Sequence, residues 1–368
     1  MPEAVLDFVV QVDRPEAVAD AVRAHPAVRT RGGGTKTALR PADGVVLDLS
    51  ALRGVVEYEP SEFTFTALAG TPVREVEALL ARHGQYLPFD PPLAAAGATL
   101  GGTVASGLSG PRRYRYGGVR DFIVGCRFVD GEGRVVRAGG KVVKNAAGFD
   151  FPKLLVGSLG TLGVLVELSF KVFPRPPAHA TLRVQRRDLQ EALGTLRSLA
   201  TSFFDVEALD LVPPSTLWIR VGGLGESLPV RVDRLRSFLG GEVDVVEEDA
   251  ALWEAAREFA WLPSGWSLVK VPTTPRRLAE LESRLGGSES LRRYSVGGNV
   301  AWVGWPGDPH PLSEALAELD LRGLRLVGPP GPVTLGRWEA DPFGVRVKHA
   351  LDPTGRLGRI AECNTGSR

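Results

Sequence analysis

The chain has 368 residues, of which 43% are hydrophobic and 24% charged, and its formal net charge is +1. This composition is typical of a soluble globular protein of more than one domain, and the absence of a basic block argues against nucleic acid as the main partner. No apolar run is long enough to span a membrane, the acidic N-terminus predicts no signal peptide, and two cysteines are too few for a disulfide framework or a cysteine-based metal site. We therefore expect a cytoplasmic protein without a metal centre. The 28 prolines and the single methionine indicate either a thermophilic source or a GC-rich genome.

The first 82 residues are predicted to form short helices and strands. Residues 14–25 carry apolar side chains at helical spacing, and Pro72 suits the first position of a second helix that ends near residue 82. In the next predicted strand, 63–70, the apolar residues alternate along the chain, so we expect Phe63, Phe65, Ala67 and Ala69 to share one face. The other strands predicted here are 28–31, 45–50 and 55–60.

Two glycine-rich stretches dominate the sequence: RGGGTK at 31–36, and a longer run from Thr99 to Gly163. Glycine lets the backbone approach a ligand closely, and exposed amide groups in such loops favour anions. RGGGTK does not match a nucleotide P-loop, and the spacing of glycines at 157–163 does not match the Rossmann fingerprint. Together the two stretches predict one large phosphate-bearing ligand. Strands are expected near 121–129, 134–138 and 161–172.

A proline-rich segment, FPRPPAH at 173–179, marks a domain boundary because consecutive prolines stop regular structure. Beyond it, predicted strands and helices alternate, starting with the order βαββα, which indicates an α+β layer with an antiparallel sheet. A helix near 342–351 lies in the C-terminal tail. The predicted divisions are residues 1–177, 178–330 and 331–368.

Three segments resemble the FAD-binding domain of the vanillyl-alcohol oxidase / p-cresol methylhydroxylase (PCMH) flavoproteins: RGGGTK, TLGGTVASGLSGPRRYRYGGVRD and VVKNAAGFDFPKLLVGSLGTLG. Within that family the chain looks most like the FAD-binding E subunits of bacterial glycolate oxidases. The resemblance covers residues 1–177 strongly and 331–368 weakly. It implies an α+β fold, in which a two-lobed PCMH-type FAD-binding domain carries an inserted cap of antiparallel sheet and helices.

The resemblance also implies which residues bind FAD. The first loop would hold the pyrophosphate, Arg31 and Lys36 would offset its charge, and Pro88 would shape the wall near the flavin. Members of the family often carry Asn where Thr103 stands. The residues implied to bind FAD are Arg31, Gly32, Gly33, Gly34, Thr35, Lys36, Pro88, Thr99, Gly101, Gly102, Thr103, Ala105, Ser106, Gly107, Tyr116, Arg120, Asp121, Gly157, Ser158, Thr161, Leu162, Gly163 and Val164.

Covalent attachment of the flavin in this family uses a His or a Cys. The first loop and the segment 99–110 contain neither, and Cys126 lies in an apolar strand where burial is expected, so we expect FAD to be bound non-covalently. No histidine stands out as a catalytic base and none forms a paired metal motif, so the catalytic residues stay unassigned. We expect helix ends for His25 and His83, the linker for His179, a loop for His310 and a structural role in the tail for His349.

By resemblance, the function is that of an FAD-binding subunit in a glycolate oxidase complex, which oxidises glycolate to glyoxylate. The implied partners are a larger D-type flavin subunit and an iron–sulfur F subunit, through which the chain would sit peripherally at the inner membrane. A self-sufficient FAD-dependent 2-hydroxy acid or alcohol dehydrogenase, with Arg220 or Arg337 facing the flavin, is a second hypothesis. A scaffold subunit without flavin is a third. All seven tryptophans lie beyond residue 217, which predicts either core packing or a docking surface for partners.

Overall fold

The computed structural model describes residues 8–39, 44–140, 149–246, 248–339 and 341–358. The segment KVVKNAAG, which belongs to the third FAD-like motif, lies outside these residues. The strands and helices of the described residues form sheets that are covered by helices, as the α+β prediction requires.

A small parallel sheet begins the fold. Strands β1 (Val9–Gln11) and β2 (Val28–Arg31) both pair with β3 (Val45–Asp48), and helix α1 (Pro15–Ala24) connects the first two. The apolar face of α1 is buried against this sheet and against strands of the neighbouring one. Because the pairing is parallel, β2 and β3 both end at the edge where the first glycine loop begins.

A five-stranded antiparallel sheet follows, in the order β4-β5-β9-β7-β8. Its inner face packs on helices to form the main core of this half of the chain. A two-stranded pair lies beside it. The elements are β4 (Val55–Glu59), β5 (Thr64–Leu68), α2 (Val73–Ala81), β6 (Gln85–Tyr86), α3 (Leu100–Ser106), α4 (Arg113–Tyr116), α5 (Val119–Phe122), β7 (Ile123–Val129), β8 (Val135–Gly139), α6 (Phe151–Leu154), β9 (Val164–Lys171) and β10 (Phe173–Pro174).

Two local predictions need correction. Phe63 does not share the buried face of β5: it has a φ of 52°, closes a 3₁₀ turn and is 41% exposed, whereas Phe65 and Ala67 are fully buried. Pro72 is the N-cap of α2, in an extended conformation, and the helix begins at Val73. In both cases the element begins one residue later than the sequence pattern predicts, because the residue before it has a turn or extended backbone. Cys126, by contrast, is buried as predicted, and burial raises the pKa of its thiol to about 12.

A nine-stranded antiparallel sheet, in the order β14-β11-β13-β12-β16-β17-β15-β18-β19, forms the cap. Helices α7, α8, α10 and α11 cover one face of it, and α9 lies on the other. The elements are β11 (Ala178–Gln185), α7 (Leu189–Ala200), β12 (Ala208–Val212), β13 (Thr216–Gly223), α8 (Leu228–Leu239), β14 (Val243–Val246), α9 (Ala250–Arg257), β15 (Ser267–Pro272), α10 (Leu278–Leu285), β16 (Leu291–Ser295), β17 (Val300–Trp305), α11 (His310–Glu318), β18 (Arg322–Val327) and β19 (Thr334–Gly336).

The second face of the cap sheet packs against the first half of the chain. Leu268, Trp302 and Leu326 belong to the same buried cluster as Phe89 and Phe170 of that half. None of the seven tryptophans is exposed, which favours the core-packing interpretation over a tryptophan-rich docking surface. The FAD-like half and the cap therefore share one buried cluster, while the helix-covered face of the cap sheet has a cluster of its own.

The C-terminal segment returns to the first half of the chain. Helix α12 (Pro342–Leu351) matches the predicted helix, and the Lys348 ammonium donates to the carbonyl of Thr161 at 2.7 Å. Farther on, the amide of Val28 donates to the carbonyl of Arg356 at 2.7 Å. The boundaries at 177/178 and 330/331 stay a prediction, since the shared core does not divide the chain at a single residue.

The helical glycine Gly194 gives a prediction about stability. It lies inside α7, and a Cβ added there meets nothing within 4 Å. Alanine costs less backbone entropy than glycine in a helix, so Gly194→Ala should raise the free energy of unfolding by about 0.5–1 kcal/mol. Urea denaturation followed by circular dichroism measures this, and a lower midpoint in the variant would contradict it.

Candidate functional site

A cleft lies between the two glycine-rich stretches. It encloses about 1100 Å³, part of which is open to solvent. One wall is the loop that follows β2, a second is α3, and a third is the turn before β9. The lining residues are Arg29, Thr30, Arg31, Gly32, Gly33, Gly34, Thr35, Lys36, Thr37, Leu39, Val46, Leu49, Ala69, Thr99, Gly101, Gly102, Ala105, Ser106, Leu159, Gly160, Gly163 and Leu165.

The first loop needs its glycines for two different reasons. A Cβ on Gly33 would lie 1.8 Å from the carbonyl oxygen of Gly97, so the two backbone segments touch at a distance that excludes any side chain. Gly34 has a φ of 66°, in the left-handed region that favours glycine. A side chain there would strain the backbone, although a Cβ would meet nothing within 4 Å. The loop therefore presents bare backbone to the cleft, as an anion-binding nest requires.

Helix α3 supplies the second wall. Thr99 caps it, since the Thr99 hydroxyl accepts from the amide of Gly102 at 3.2 Å. Gly101 packs so closely on the residue that follows β5 that a Cβ would lie 2.8 Å from Cβ of Ala69. The small residues of this short helix thus allow close packing on one side. On the other side Gly102, Ala105 and Ser106 face the cleft.

The two cations predicted for the first loop have different surroundings. The Arg31 guanidinium is ion-paired with Asp48 at 2.7 Å. The Lys36 ammonium donates to the hydroxyl of Thr35 at 3.2 Å, and no carboxylate of the described residues hydrogen-bonds it. Burial lowers the pKa of Lys36 to about 8, although the negative charge of Glu258 partly opposes this. Lys36 is therefore a desolvated cation at the edge of the cleft.

These features fit a large dinucleotide cofactor with a diphosphate. The cleft extends from the first loop past α3 to the turn before β9, the loop offers backbone amides without side chains, and a cation stands beside them. The lining also contains apolar residues for a ring system, among them Leu39, Leu49 and Leu165. Among the described residues there is no group of three or more metal-ligating side chains.

The structure brings twelve of the predicted residues together around the cleft. Those that line it are Arg31, Gly32, Gly33, Gly34, Thr35, Lys36, Thr99, Gly101, Gly102, Ala105, Ser106 and Gly163. The others lie outside this lining, in α3 itself, in α4 and α5, and in the loops and strand around them. They are Pro88, Thr103, Gly107, Tyr116, Arg120, Asp121, Gly157, Ser158, Thr161, Leu162 and Val164.

Sequence reasoning missed several lining residues. Leu159 and Gly160 lie in the G-x-x-G-x-x-G stretch, where the pattern indicated a loop but not which positions face inward. Ala69 directly follows β5, Leu165 lies in β9, and neither residue carries a polar signal. Only the pairing of these strands brings them to the cleft.

A second polar cluster lies away from the cleft, where the chain passes into the cap. The Tyr116 hydroxyl donates to Glu207 at 2.8 Å, and His179 Nε2 lies 3.2 Å from the same carboxylate. Burial acts to raise the pKa of Glu207, but the contacts with His179 and Tyr116 outweigh it and the pKa is lowered. The structure places His179 in strand β11, whereas the sequence predicted a position in the linker. The predicted positions of His25 and His83 at helix ends are confirmed.

Neither arginine proposed to face the flavin lines the cleft. Arg220 is buried and forms two hydrogen bonds with Asp249, at 2.9 and 2.8 Å. Arg337 is exposed and lies within ion-pair distance of Asp320 and Glu339. His349 is exposed on α12. The described residues therefore show no catalytic base at these positions.

Comparison with known proteins agrees with this site. A family model described as an FAD binding domain matches residues 6–139. The glycolate oxidase subunit GlcE of Escherichia coli is 42% identical over 263 residues, which are 70% of this chain and 72% of that protein. A D-2-hydroxyglutarate dehydrogenase of Xanthomonas citri is 30% identical over 75% of this chain and 58% of its own length. Glycolate oxidase subunit GlcD of Bacillus subtilis is 29% identical over 48% of this chain and 37% of its own length.

A solved structure supports the fold independently. An alkyldihydroxyacetonephosphate synthase superposes with a TM-score of 0.71 over 95% of this chain and 75% of its own, at 15% sequence identity. The matched family model and the sequence relatives identify the chain as an FAD-dependent oxidoreductase with a PCMH-type FAD-binding domain. Within this class, the chain belongs to the family of the glycolate oxidase subunit GlcE.

Proposed function

We propose that this chain is the FAD-binding subunit of a glycolate oxidase complex, which oxidises glycolate to glyoxylate. The observation that carries the proposal is the cleft made by two glycine-rich walls in a chain 42% identical to GlcE. FAD supplies the hydride acceptor for such a reaction. The protein's own part is to bind and orient the cofactor and to exclude water from it.

The cleft suggests how the chain divides this work. The bare backbone from Gly32 to Thr35 would hold the diphosphate, with Lys36 supplying positive charge. Thr99 and the cleft-facing side of α3 would form the opposite wall. The lining contains no His or Cys, which supports non-covalent attachment of FAD. The predicted residues outside the lining would act by supporting these walls.

We also propose the assembly. The relatives named GlcE and GlcD are glycolate oxidase subunits, so we place this chain in such a complex beside a D-type flavin subunit and an iron–sulfur F subunit. The complex would lie in the cytoplasm, peripheral to the inner membrane. Within the part of the chain that the structure describes, no helix has the length and apolar character needed to cross a membrane.

An anaerobic absorbance titration tests the function. The purified chain is loaded with FAD, and glycolate is added alone and then with the co-expressed partner subunits. Bleaching of the flavin only when the partners are present is the expected result. If FAD does not bind at all, the proposal is wrong.

The second candidate is a self-sufficient 2-hydroxy acid dehydrogenase. The similarity to a D-2-hydroxyglutarate dehydrogenase favours it, although the chain spans only 58% of that relative. The same titration separates the two candidates. Bleaching of the isolated chain by glycolate, D-lactate or D-2-hydroxyglutarate would identify a dehydrogenase that needs no partner.

Lys36 predicts a pH dependence of FAD affinity. With a pKa of about 8 in the free cleft, Lys36 is charged at pH 7 and largely neutral at pH 9. A bound diphosphate favours the charged form, so binding above pH 8 must take up a proton and the dissociation constant should rise about tenfold from pH 7 to pH 9. Fluorescence titration in wild type and in Lys36→Met measures this.

The charged groups around Lys36 define the controls for this titration. Glu258 is the acidic group that acts on Lys36, while Arg31 is already paired with Asp48. Lys36→Met should bind FAD more weakly at pH 7 and lose most of the pH dependence. An equally steep rise in the variant would assign the titration to another group.

A further inference from the structure

The C-terminal end of helix α9 connects the cap to a loop of the FAD-like half, residues 93–98. The carboxylate of Glu258 accepts hydrogen bonds from the backbone amides of Ala95 and Ala96, at 3.0 and 3.3 Å. Among the described residues, no backbone carbonyl accepts from either amide. One carboxylate of the cap therefore binds two consecutive amides of the other half, as a bound anion would.

The 93–98 loop in turn supports the first glycine loop. The amide of Ala98 donates to the carbonyl of Leu93 at 2.9 Å, which closes the 93–98 loop on itself. The carbonyl of Gly97 lies so close to the first glycine loop that a Cβ on Gly33 would be 1.8 Å from its oxygen. Because the two backbones touch at this point, a displacement of the 93–98 loop displaces Gly33 as well.

Arg257, the last residue of α9, fixes the position from which Glu258 acts. Its guanidinium donates to both carboxylate oxygens of Glu77 on α2, at 2.6 and 3.3 Å. Its carbonyl accepts from the amide of Leu93 at 3.2 Å. A bidentate pair of this kind sets orientation as well as contributing energy. The end of α9 is thus anchored both to α2 and to the 93–98 loop.

The location of Glu258 does not favour the helix to which it belongs. Glu258 is the C-cap residue of α9, where the helix dipole disfavours a negative side chain. Its side chain is only 12% exposed, and the Arg257 guanidinium, 3.9 Å away, is already paired with Glu77. Its hydrogen bonds with the described residues go to the two loop amides. Such charge-assisted bonds offset the cost of placing a carboxylate there.

We propose that Glu258 is a positioning residue for FAD, because it holds the 93–98 loop and thereby the backbone of the first glycine loop, although it does not line the cleft. The assignment of the first glycine loop to the diphosphate rests on the proposed function. The charge of Glu258, which acts on Lys36, would by itself repel a diphosphate. Removal of the carboxylate therefore separates a positioning role from a purely electrostatic one by the sign of the change in FAD affinity.

Fluorescence titration with FAD tests this role in Glu258→Ala. The dissociation constant should rise about tenfold, because the two hydrogen bonds that hold the 93–98 loop are lost. Glu258→Gln keeps one acceptor oxygen and should lose less affinity, and it replaces the alanine variant if that protein does not fold. Glu254→Ala is the matched control. Glu254 lies one turn earlier on α9 and pairs across the same interface with Arg74 of α2, where the two side chains are 48% and 53% exposed, so its removal should change FAD affinity less than about twofold.

Amide hydrogen exchange of the chain without FAD gives a second measurement. Exchange in the 93–98 loop should be faster in Glu258→Ala than in wild type and unchanged in Glu254→Ala, since only the first variant frees the amides of Ala95 and Ala96. Equal exchange in Glu258→Ala and wild type would show that the carboxylate does not hold the loop, and the positioning role would be wrong.

The outcomes separate this role from the proposed function. FAD affinity in Glu258→Ala that equals or exceeds that of wild type overturns the positioning role, whether or not glycolate bleaches the flavin. Equal weakening in Glu254→Ala assigns the effect to the contact between cap and first half as a whole and overturns it too. A wild-type chain that binds no FAD overturns the proposed function, and hydrogen exchange then decides alone whether the cap holds the loop.

Discussion

Gly33→Ala is expected to weaken FAD binding about a hundredfold, close to 2.7 kcal/mol. The added Cβ would lie 1.8 Å from the carbonyl oxygen of Gly97 and 2.9 Å from its carbon. Both atoms belong to the backbone, so no side chain can rotate away to make room. The first loop must therefore move, and its amide groups no longer point into the cleft. Each hydrogen bond to a charged group that is lost in this way costs about 1.5–3 kcal/mol. Titration of FAD fluorescence against the folded variant gives the change in affinity.

The control for this experiment is Gly194→Ala, the same chemical change in a helix with free space around it. It should leave FAD affinity unchanged. Circular dichroism shows whether Gly33→Ala is folded before the titration is interpreted. A folded Gly33→Ala protein that binds FAD within about threefold of wild type would contradict the role of this loop.

Arg220→Met should lower the free energy of unfolding by about 3–5 kcal/mol, the usual cost of breaking a buried ion pair. Arg220 and Asp249 are 5% and 4% exposed. Asp249 also accepts a hydrogen bond from the Thr181 hydroxyl at 2.7 Å, but that neutral donor cannot balance its charge. The methionine would leave a buried carboxylate without a cation, and urea denaturation measures the loss.

Two further variants show whether the lost charge pair is the cause. Arg183→Met removes an arginine that pairs with Asp244 at the surface, with side chains 48% and 56% exposed, and should cost less than about 1 kcal/mol. Arg220→Met combined with Asp249→Leu removes both charges and should recover part of the stability. An Arg220→Met protein as stable as wild type would instead leave this arginine available for a ligand.

Much of the local structure could be predicted from the sequence, because short-range patterns determine it. Strand Val28–Arg31 and helix Pro342–Leu351 were predicted at the bounds that the structure shows. The glycine loops were predicted to form a ligand site, because such a run of glycines lets the backbone approach a ligand closely. At Phe63 and Pro72 the element begins one residue later than predicted, because Phe63 has a left-handed backbone and Pro72 an extended one.

The pairing of distant charges could not be predicted. Arg220 was considered as a flavin-facing residue, and only the position of Asp249 at the start of α9 explains its burial. Nothing near Lys270 in the sequence distinguishes it from the other lysines. Its ammonium has no hydrogen bond or ion pair among the described residues, because its neighbours in register across the cap sheet are Trp302 and Leu324.

The return of the C-terminal segment to β2 affects the order in which the chain assembles during synthesis. The amide of Val28 is bonded to the carbonyl of Arg356, and Leu357 forms a parallel bridge with the same strand. Translation proceeds from the N-terminus. Strand β2, which leads into the diphosphate loop, can therefore pair with its last partner only after almost the whole protein has been synthesised. The cap, whose strands lie between residues 178 and 336, is translated before that. A nascent chain that ends before residue 356 would therefore lack the segment that pairs with the start of β2.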